Sequence, residues 1–216
     1  MRGMRWIVGA QTHGMWLGSY EWRKQAAISK RLRLGQTFFD IGANAGYFSL
    51  LWSRSVGASG RVVAVEPLPR NIEFLERHLA MNGISNVHVV RKAISDHRGT
   101  ARFCVDGHST SRLSDSGGLL VQVTTLDDLV EELGCPPDVM KVDIEGAELE
   151  LLRGAKQVLE NDRPVIFLAL HSKDNFERLL VDAPAWRYAI RGLDGGVLGA
   201  GRFQEEVVLF PVEFRA

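Results

Sequence analysis

The chain has 216 residues, 45% of them hydrophobic, which suits one domain with a buried core better than two full domains. Its 26 basic residues balance 26 acidic ones, so no nucleic-acid partner is expected from charge. The two cysteines, Cys104 and Cys135, are too few for a disulfide framework or a zinc site. No membrane span and no signal peptide are predicted, and we expect a cytoplasmic protein.

Two regions are predicted along the chain. Residues 1–33 indicate a helical or irregular cap, which Trp6, Trp16 and Trp22 are expected to pack, and residues 34–216 indicate the main domain. There, short apolar runs alternate with helical patterns, as is typical of βαβ units whose strands are covered on both faces. The predicted strands are residues 37–41, 61–66, 87–91, 139–143 and 165–171.

Helices and turns are predicted between these strands. Apolar spacing over residues 72–79 and a capping pattern at residues 125–128 each indicate a helix, and a longer apolar stripe predicts one helix over residues 146–160. Residues 105–118 are rich in Ser, Gly and Asp and are predicted to form a loop between short strands. Two β-branched runs within residues 188–210 enclose a Gly-rich turn and predict a final hairpin.

A glycine turn follows the first predicted strand, within residues 38–49. Asp40, Gly42, Asn44 and Gly46 are candidate cofactor-binding residues, because small residues before a helix N-terminus let a ligand approach the backbone. The turn lacks the three-glycine spacing of dinucleotide enzymes and the Gly-Lys-Ser/Thr of a P-loop. A carboxylate at Asp40 would repel a pyrophosphate but would attract an ammonium or sulfonium group.

Two further acids are candidate contacts for the same ligand. Glu66 closes the second predicted strand, where Rossmann-like folds place an acid that accepts hydrogen bonds from ribose hydroxyls. Asp96 follows the third strand and is a candidate either for the adenine amino group or for the cap of a turn. The glycine turn and Glu66 together predict an adenosine-bearing ligand.

Four stretches carry a resemblance to a known family. The chain resembles the FkbM-type methyltransferases, which belong to the class I S-adenosylmethionine-dependent enzymes, and with residues 93–96 the match spans about residues 18–171. The most specific stretch is the Lys-x-Asp-x-Glu-Gly-x-Glu pattern before a Leu-rich helix. The four stretches are residues 18–21, 40–47, 65–67 and 140–148.

This resemblance implies a fold, a cofactor and a reaction. The fold is α/β, a doubly wound, mostly parallel seven-stranded sheet with its last strand antiparallel. The cofactor is S-adenosylmethionine, and the reaction is methylation of a hydroxyl oxygen on a small molecule, commonly a sugar or a polyketide-type natural product. Relatives often carry an acid two residues before the histidine that follows strand five, whereas this chain has Ala169, so no role of that acid is carried over.

Three residues at the ends of the fourth and fifth predicted strands are candidates for catalysis. In doubly wound sheets ligands bind beyond the carboxyl ends of the strands, so Asp143, Glu145 and His171 are expected to face the transferable methyl group. His171 is the candidate general base, because its ordinary pKa lies near neutrality, and Asp143 would orient it or accept the proton itself. Alternatively, the same three residues would gather a divalent cation that lowers the pKa of the substrate hydroxyl.

Other interpretations stay open from sequence alone. Lys141 and Glu148 are interpreted chiefly as structural, Lys141 by pairing with a nearby acid and Glu148 by stabilising a helix dipole. Rival functions are methyl transfer to nitrogen or carbon and a non-catalytic module that holds an adenosine ligand. The sequence indicates neither the acceptor nor the oligomeric state.

Overall fold

The computed structural model describes residues 3–10, 19–106, 110–113, 118–198 and 203–212. The strands are β1 (Thr37–Ile41), β2 (Arg61–Val65), β3 (Val87–Val90), β4 (Ala93–Ile94), β5 (Gly99–Asp106), β6 (Thr110–Leu113), β7 (Leu119–Thr124), β8 (Val139–Val142), β9 (Val165–Ala169), β10 (Tyr188–Gly192) and β11 (Glu206–Pro211). The helices are α1 (Trp22–Ser29), α2 (Tyr47–Val56), α3 (Pro69–Met81), α4 (Leu126–Leu133), α5 (Glu148–Arg153) and α6 (Lys173–Asp182), with a π-helical turn at Val158–Asp162.

Seven strands form the main sheet, in the order β10-β11-β9-β8-β1-β2-β3. β1 pairs in parallel with both β2 and β8, whereas β11 runs antiparallel to β9 and β10. The predicted doubly wound, mostly parallel sheet with an antiparallel last strand is confirmed. The strand order reverses at β1, so the carboxyl ends of β1 and β8 border the crevice in which this architecture binds ligands.

Because successive side chains of a strand point in opposite directions, the strands bury apolar residues on both faces of the main sheet. In β1, Phe39 and Ile41 join the larger core cluster beneath α4, α5 and α6, and Phe38 joins the cluster beneath α1 and α2. This period of two places the charged residues of the strands on one face as well. Asp40 on β1 lies opposite Lys141 on β8, so both side chains point toward α1 and α2.

The segment predicted as a loop over residues 105–118 is partly a strand pair. β5 continues to Asp106 and pairs antiparallel with β6, within a second sheet of order β4-β7-β5-β6. Residues 107–109 and 114–117 lie outside the described residues. The prediction was wrong for residues 105–106 and 110–113, because backbone pairing with β5 forms a ladder that the polar composition did not reveal.

The helix predicted over residues 146–160 is broken at Gly154. α5 ends at Arg153, and a Cβ on Gly154 would lie 2.2 Å from the carbonyl oxygen of Ser95, so only glycine fits where these two segments cross. The chain turns helical again beyond it, where the carboxylate of Asp127 accepts hydrogen bonds from the backbone of Gln157 and Val158, both at 3.0 Å. A break set by a neighbouring segment leaves the apolar spacing intact, so the sequence predicted one continuous helix.

The N-terminal residues 3–10 lie against α3. The Ile7 amide donates to Nε2 of the buried His78 at 3.0 Å, so Nδ1 carries the proton and donates to the Ala45 carbonyl in the glycine turn at 2.8 Å. Trp6 stacks on the His78 ring with centroids 3.8 Å apart. Of the other tryptophans expected to pack this cap, Trp22 is 63% exposed and Trp16 lies outside the described residues.

Acid is expected to weaken this attachment. Burial lowers the pKa of His78, because a protonated ring would lose its hydration inside the protein. The unfolded chain therefore takes up a proton before the folded one, and stability is lost as the pH falls from about 6.5 toward the lower pKa of the folded protein. Thermal unfolding between about pH 7 and about pH 5.5 should show a steeper loss of stability for the native protein than for His78→Gln. The control variant His88→Gln, at an exposed histidine, should lose thermal stability with falling pH as steeply as the native protein. The same dependence of stability on pH in all three proteins would contradict the expectation.

Across the described ranges of the chain, we find no helix with the length and apolar character needed to span a bilayer.

Candidate active site

The glycine turn is shaped by neighbouring protein segments. Gly42 has φ 74°, and a Cβ there would lie 2.0 Å from the carbonyl oxygen of Asp143 at the end of β8. Gly46 has φ 88°, and a Cβ there would lie 2.3 Å from Cδ1 of Leu75 on α3. Both glycines are thus required by backbone conformation and by packing, whatever a ligand adds. Their cofactor contacts stay predictions.

Glu66 organises the turn through hydrogen bonds. Its Oε2 accepts the Asn44 N–H at 2.9 Å, and its Oε1 accepts the Leu68 N–H at 3.0 Å and the Asn71 amide at 3.1 Å. Burial raises the pKa of Glu66, whereas these hydrogen bonds oppose the rise. Asn44 itself has φ 51°, and its Oδ1 accepts the Ala45 N–H at 2.7 Å. Oε2 has accepted one hydrogen bond and retains the capacity for another from a ribose hydroxyl.

Asp40 lies beneath the turn, fully buried. Its Oδ2 accepts the Ser49 hydroxyl of α2 at 2.6 Å, and its Oδ1 lies 3.4 Å from Nζ of Lys141. Lys141 also donates to the Gly42 carbonyl at 2.7 Å. The Asp40 carboxylate therefore ties β1 to α2 and β8, and its predicted contact with the cofactor stays a prediction.

Asp96 lies apart from the other predicted acids. Its side chain is 39% exposed and accepts hydrogen bonds from Nδ1 of His97 at 2.9 Å and from the Ser95 hydroxyl at 3.4 Å. The hydrogen bond from His97 lowers the pKa of Asp96, despite a small opposing effect of burial. These contacts fit a cap of the turn after β4, and a contact with adenine stays a prediction.

The three predicted catalytic residues come together beyond β8 and β9. Nε2 of His171 lies 3.4 Å from Oδ1 of Asp143 and 3.5 Å from Oε2 of Glu145. One ligand atom from each residue lies within 4.8 Å of the others. Glu145 adopts φ 56°, a strained conformation for a residue with a side chain, and such strain is concentrated at functional sites.

Glu148 fixes the orientation of the histidine. It is fully buried in the first turn of α5, and its Oε1 accepts the Gly146 N–H and Nδ1 of His171, both at 2.9 Å. With Nδ1 held, Nε2 is directed at Asp143 and Glu145. The helix-dipole interpretation of Glu148 missed this contact, although its place in the Lys-x-Asp-x-Glu-Gly-x-Glu pattern was a signal for it.

The surrounding carboxylates set the charge of this ring. Hydrogen bonds to Asp143 and Glu148 raise the pKa of His171 to about 10, against an opposing effect of burial. Burial raises the pKa of Glu145 as well. The ring is therefore protonated at neutral pH in the protein alone, and Nε2 then donates a hydrogen bond instead of accepting a proton.

Two buried lysines hold the far side of the Asp143 carboxylate. Nζ of Lys24 on α1 and Nζ of Lys141 on β8 each lie 3.8 Å from Oδ2. Burial alone would raise the pKa of Asp143, but Lys141, His171 and Lys24 together hold it well below its usual range. Lys24 was not predicted from the sequence as part of the site. The available signal was its position on the face of α1 that also buries Ala27 and Ile28, an uncommon place for a lysine.

Comparisons with known proteins identify the family of the chain. The family model described as the Methyltransferase FkbM domain matches residues 40–194. The hexuronic acid methyltransferase AglP of Haloferax volcanii is 30% identical over 132 residues, covering 59% of this chain and 53% of that protein. Methyltransferase sdnD of Sordaria araneosa is 30% identical over 155 residues, covering 55% of this chain and 60% of that protein. The chain thus matches 53% to 60% of the length of these curated relatives.

A solved structure shares the fold. The crystal structure of a methyltransferase FkbM from Methylobacillus flagellatus KT aligns with a TM-score of 0.57 at 22% identity, covering 81% of this chain and 43% of that chain. Since the family model spans more than half of the sequence, the protein belongs to the FkbM family of S-adenosylmethionine-dependent methyltransferases.

Proposed function

We propose that this protein transfers the methyl group of S-adenosylmethionine to a hydroxyl oxygen of a small molecule, with a sugar or a polyketide-type product as the acceptor class. The observation that carries the proposal is the cluster of His171, Asp143 and Glu145 at the crevice beside the glycine turn. A relative that is 30% identical is named a hexuronic acid methyltransferase, which supports a sugar acceptor.

The cofactor would be held by the glycine turn and Glu66. Glu66 combines burial with remaining capacity to accept a ribose hydroxyl, and the Asn44 backbone is already fixed by it. The cofactor supplies a methyl group on a positively charged sulfur. Asp143 and Glu145 place carboxylates at this crevice, and a carboxylate attracts a positive charge.

The residues of the cluster would position the acceptor and manage its proton. Displacement at a methyl carbon requires the attacking oxygen, the carbon and the leaving sulfur to lie in line, so a rigid site is an advantage. Glu148 fixes the imidazole, and the two lysines fix one oxygen of Asp143. Oδ1 of Asp143 and Oε2 of Glu145 both lie near Nε2. A hydroxyl group that enters the crevice beside Nε2 can donate its hydrogen bond to either oxygen.

The same donors suit a divalent cation, and the proposal includes one. A histidine that ligates a metal characteristically donates its other N–H to a carboxylate, as Nδ1 of His171 does to Glu148. Nε2 then faces the carboxylates of Asp143 and Glu145, which are ordinary ligands of divalent cations. When bound, such a cation lowers the pKa of a hydroxyl that it coordinates.

Removal of divalent cations is expected to lower methyl transfer by more than about tenfold, because the acceptor hydroxyl would keep its ordinary pKa. Activity is measured by mass spectrometry after dialysis against EDTA, and again after Mg²⁺ or Mn²⁺ is added back. Recovery on addition supports the cation. Unchanged activity in EDTA would contradict the cation and would leave the carboxylate of Asp143 or Glu145 to accept the proton of the hydroxyl.

The function itself is tested by binding and by product analysis. Isothermal titration of the folded protein with S-adenosylmethionine should show binding, and an acceptor screen of sugar and polyketide hydroxyls should yield a singly methylated product. No binding by a folded protein would contradict the cofactor. A product methylated on nitrogen or carbon would keep methyl transfer and remove oxygen as the acceptor atom.

A further inference from the structure

Lys24 is the most unusual buried charge in the described part of the chain. It lies on α1, outside the matched family region, and is 1% exposed. Its Nζ lies 2.6 Å from Oε2 of Glu21 and 2.7 Å from Oε1 of Glu206, and 3.8 Å from Oδ2 of Asp143. One ammonium group therefore joins the N-terminal segment, the start of β11 and the end of β8.

Packing does not explain a lysine at this position. A buried ion pair is often no more stable than apolar residues of similar volume, because both charges lose their hydration. The neighbours of Lys24 on this face of α1 are apolar, and its amine also lies 5.8 Å from the centroid of the Phe48 ring. A methionine would fit such surroundings if the only requirement were to fill space.

The contacts of Asp143 indicate what the charge does. Its Oδ2 lies between Lys24 and Lys141, whereas its Oδ1 faces Nε2 of His171. The amine of Lys141 has other partners, because it donates to the Gly42 carbonyl at 2.7 Å and pairs with Asp40 at 3.4 Å. Lys24 therefore supplies the second fixed charge that keeps one carboxylate oxygen turned inward and the other turned toward the crevice.

We propose that Lys24 is a positioning residue that acts through Asp143, and that residues 21–24 thereby complete the active site from outside residues 40–194, the part of the chain that the family model matches. This inference rests on the proposed function. Glu21 and Glu206 hold the ammonium in place, and they balance its charge within the protein. The N-terminal segment is thus part of the site as well as a cover for the sheet.

The test is a double-mutant cycle between Lys24 and Asp143. Lys24→Met should lower kcat by about 100-fold with little change in the dissociation constant for S-adenosylmethionine, because a small displacement of a reacting group is costly to rate. In the Asp143→Asn background the same change should have almost no further effect on kcat. Lys24→Arg should recover most of the activity, and Lys30→Met, a change at an exposed lysine at the end of α1, should match the native protein.

A second variant serves as the control for correct folding. Lys24→Met leaves the carboxylates of Glu21 and Glu206 without their ion-pair partner. The double variant Lys24→Met/Glu206→Gln removes the cation and one of these anions together. Thermal unfolding shows whether each protein is folded. Losses of kcat that multiply in the double mutant, or a folded Lys24→Met with native kcat, would overturn the proposal. A native protein that methylates no acceptor would overturn the proposed function instead. In that case a double-mutant cycle on the free energy of unfolding, measured with denaturant, shows whether Lys24 and Asp143 interact. If the two residues show no coupling energy, the positioning role is overturned as well.

Discussion

His171→Gln is expected to lower kcat/KM for methyl transfer by about 1000-fold, within the range that a positioned acid, base or metal ligand contributes. Nε2 of His171 is the group that faces both Asp143 and Glu145, and glutamine can neither hold a proton at that position nor match the ring's two fixed nitrogens. The change also leaves Glu148 buried with one partner fewer, since Oε1 accepts Nδ1 in the native protein.

The measurement separates catalysis from cofactor binding. Isothermal titration should give a dissociation constant for S-adenosylmethionine within about threefold of native, since the proposed cofactor contacts lie in the glycine turn and at Glu66. His88→Gln is the matched control, because His88 is exposed on β3, away from the proposed cofactor contacts. A His171→Gln protein with near-native turnover would remove the histidine from the mechanism, and an equal loss in cofactor affinity would reassign it to binding.

Gly42→Ala is expected to destabilise the fold by about 3 to 5 kcal/mol and to abolish cofactor binding. The left-handed φ of 74° costs about 1 to 2 kcal/mol for an alanine. The larger effect is steric, because the new Cβ would lie 2.0 Å from the carbonyl oxygen of Asp143. The Asp143 backbone cannot shift without also displacing the end of β8 and the cluster of Asp143, Glu145 and His171.

Gly83→Ala provides the control for backbone conformation alone. Gly83 also has a left-handed φ, 61°, but a Cβ there meets nothing within 4 Å. Urea unfolding should therefore show a loss of only about 1 to 2 kcal/mol for Gly83→Ala, with native affinity for S-adenosylmethionine. Similar losses for the two alanine variants would contradict a steric origin at Gly42.

Much of the fold followed from local patterns. The apolar runs predicted the strands β1, β2, β8 and β9, because strands covered on both faces must be apolar along their length. The capping pattern at Thr125 predicted the start of a helix, since it depends on a hydrogen bond between near neighbours in the chain. These features are local, and a sequence displays them directly.

The site was predictable only in outline. Asp143, Glu145 and His171 were expected in one crevice because the carboxyl ends of parallel strands meet at one edge, and the structure brings them together. The interplay of charges was not predictable. The pKa of His171 depends on Asp143 and Glu148, which come close to the ring because β8 pairs with β9 and because Glu148 lies in the first turn of α5.

The strand and helix patterns, the glycine turn and the acids at the strand ends could be predicted from the amino-acid sequence, because periodicity and turn chemistry act between close neighbours. The need for glycine at position 42, the helix break at Gly154 and the approach of Lys24 to Asp143 emerge only in the folded protein. Each of these depends on a contact between segments distant in sequence. Steric exclusion and charge pairing act through space, so the partners become defined only when the strands have paired and the helices have packed.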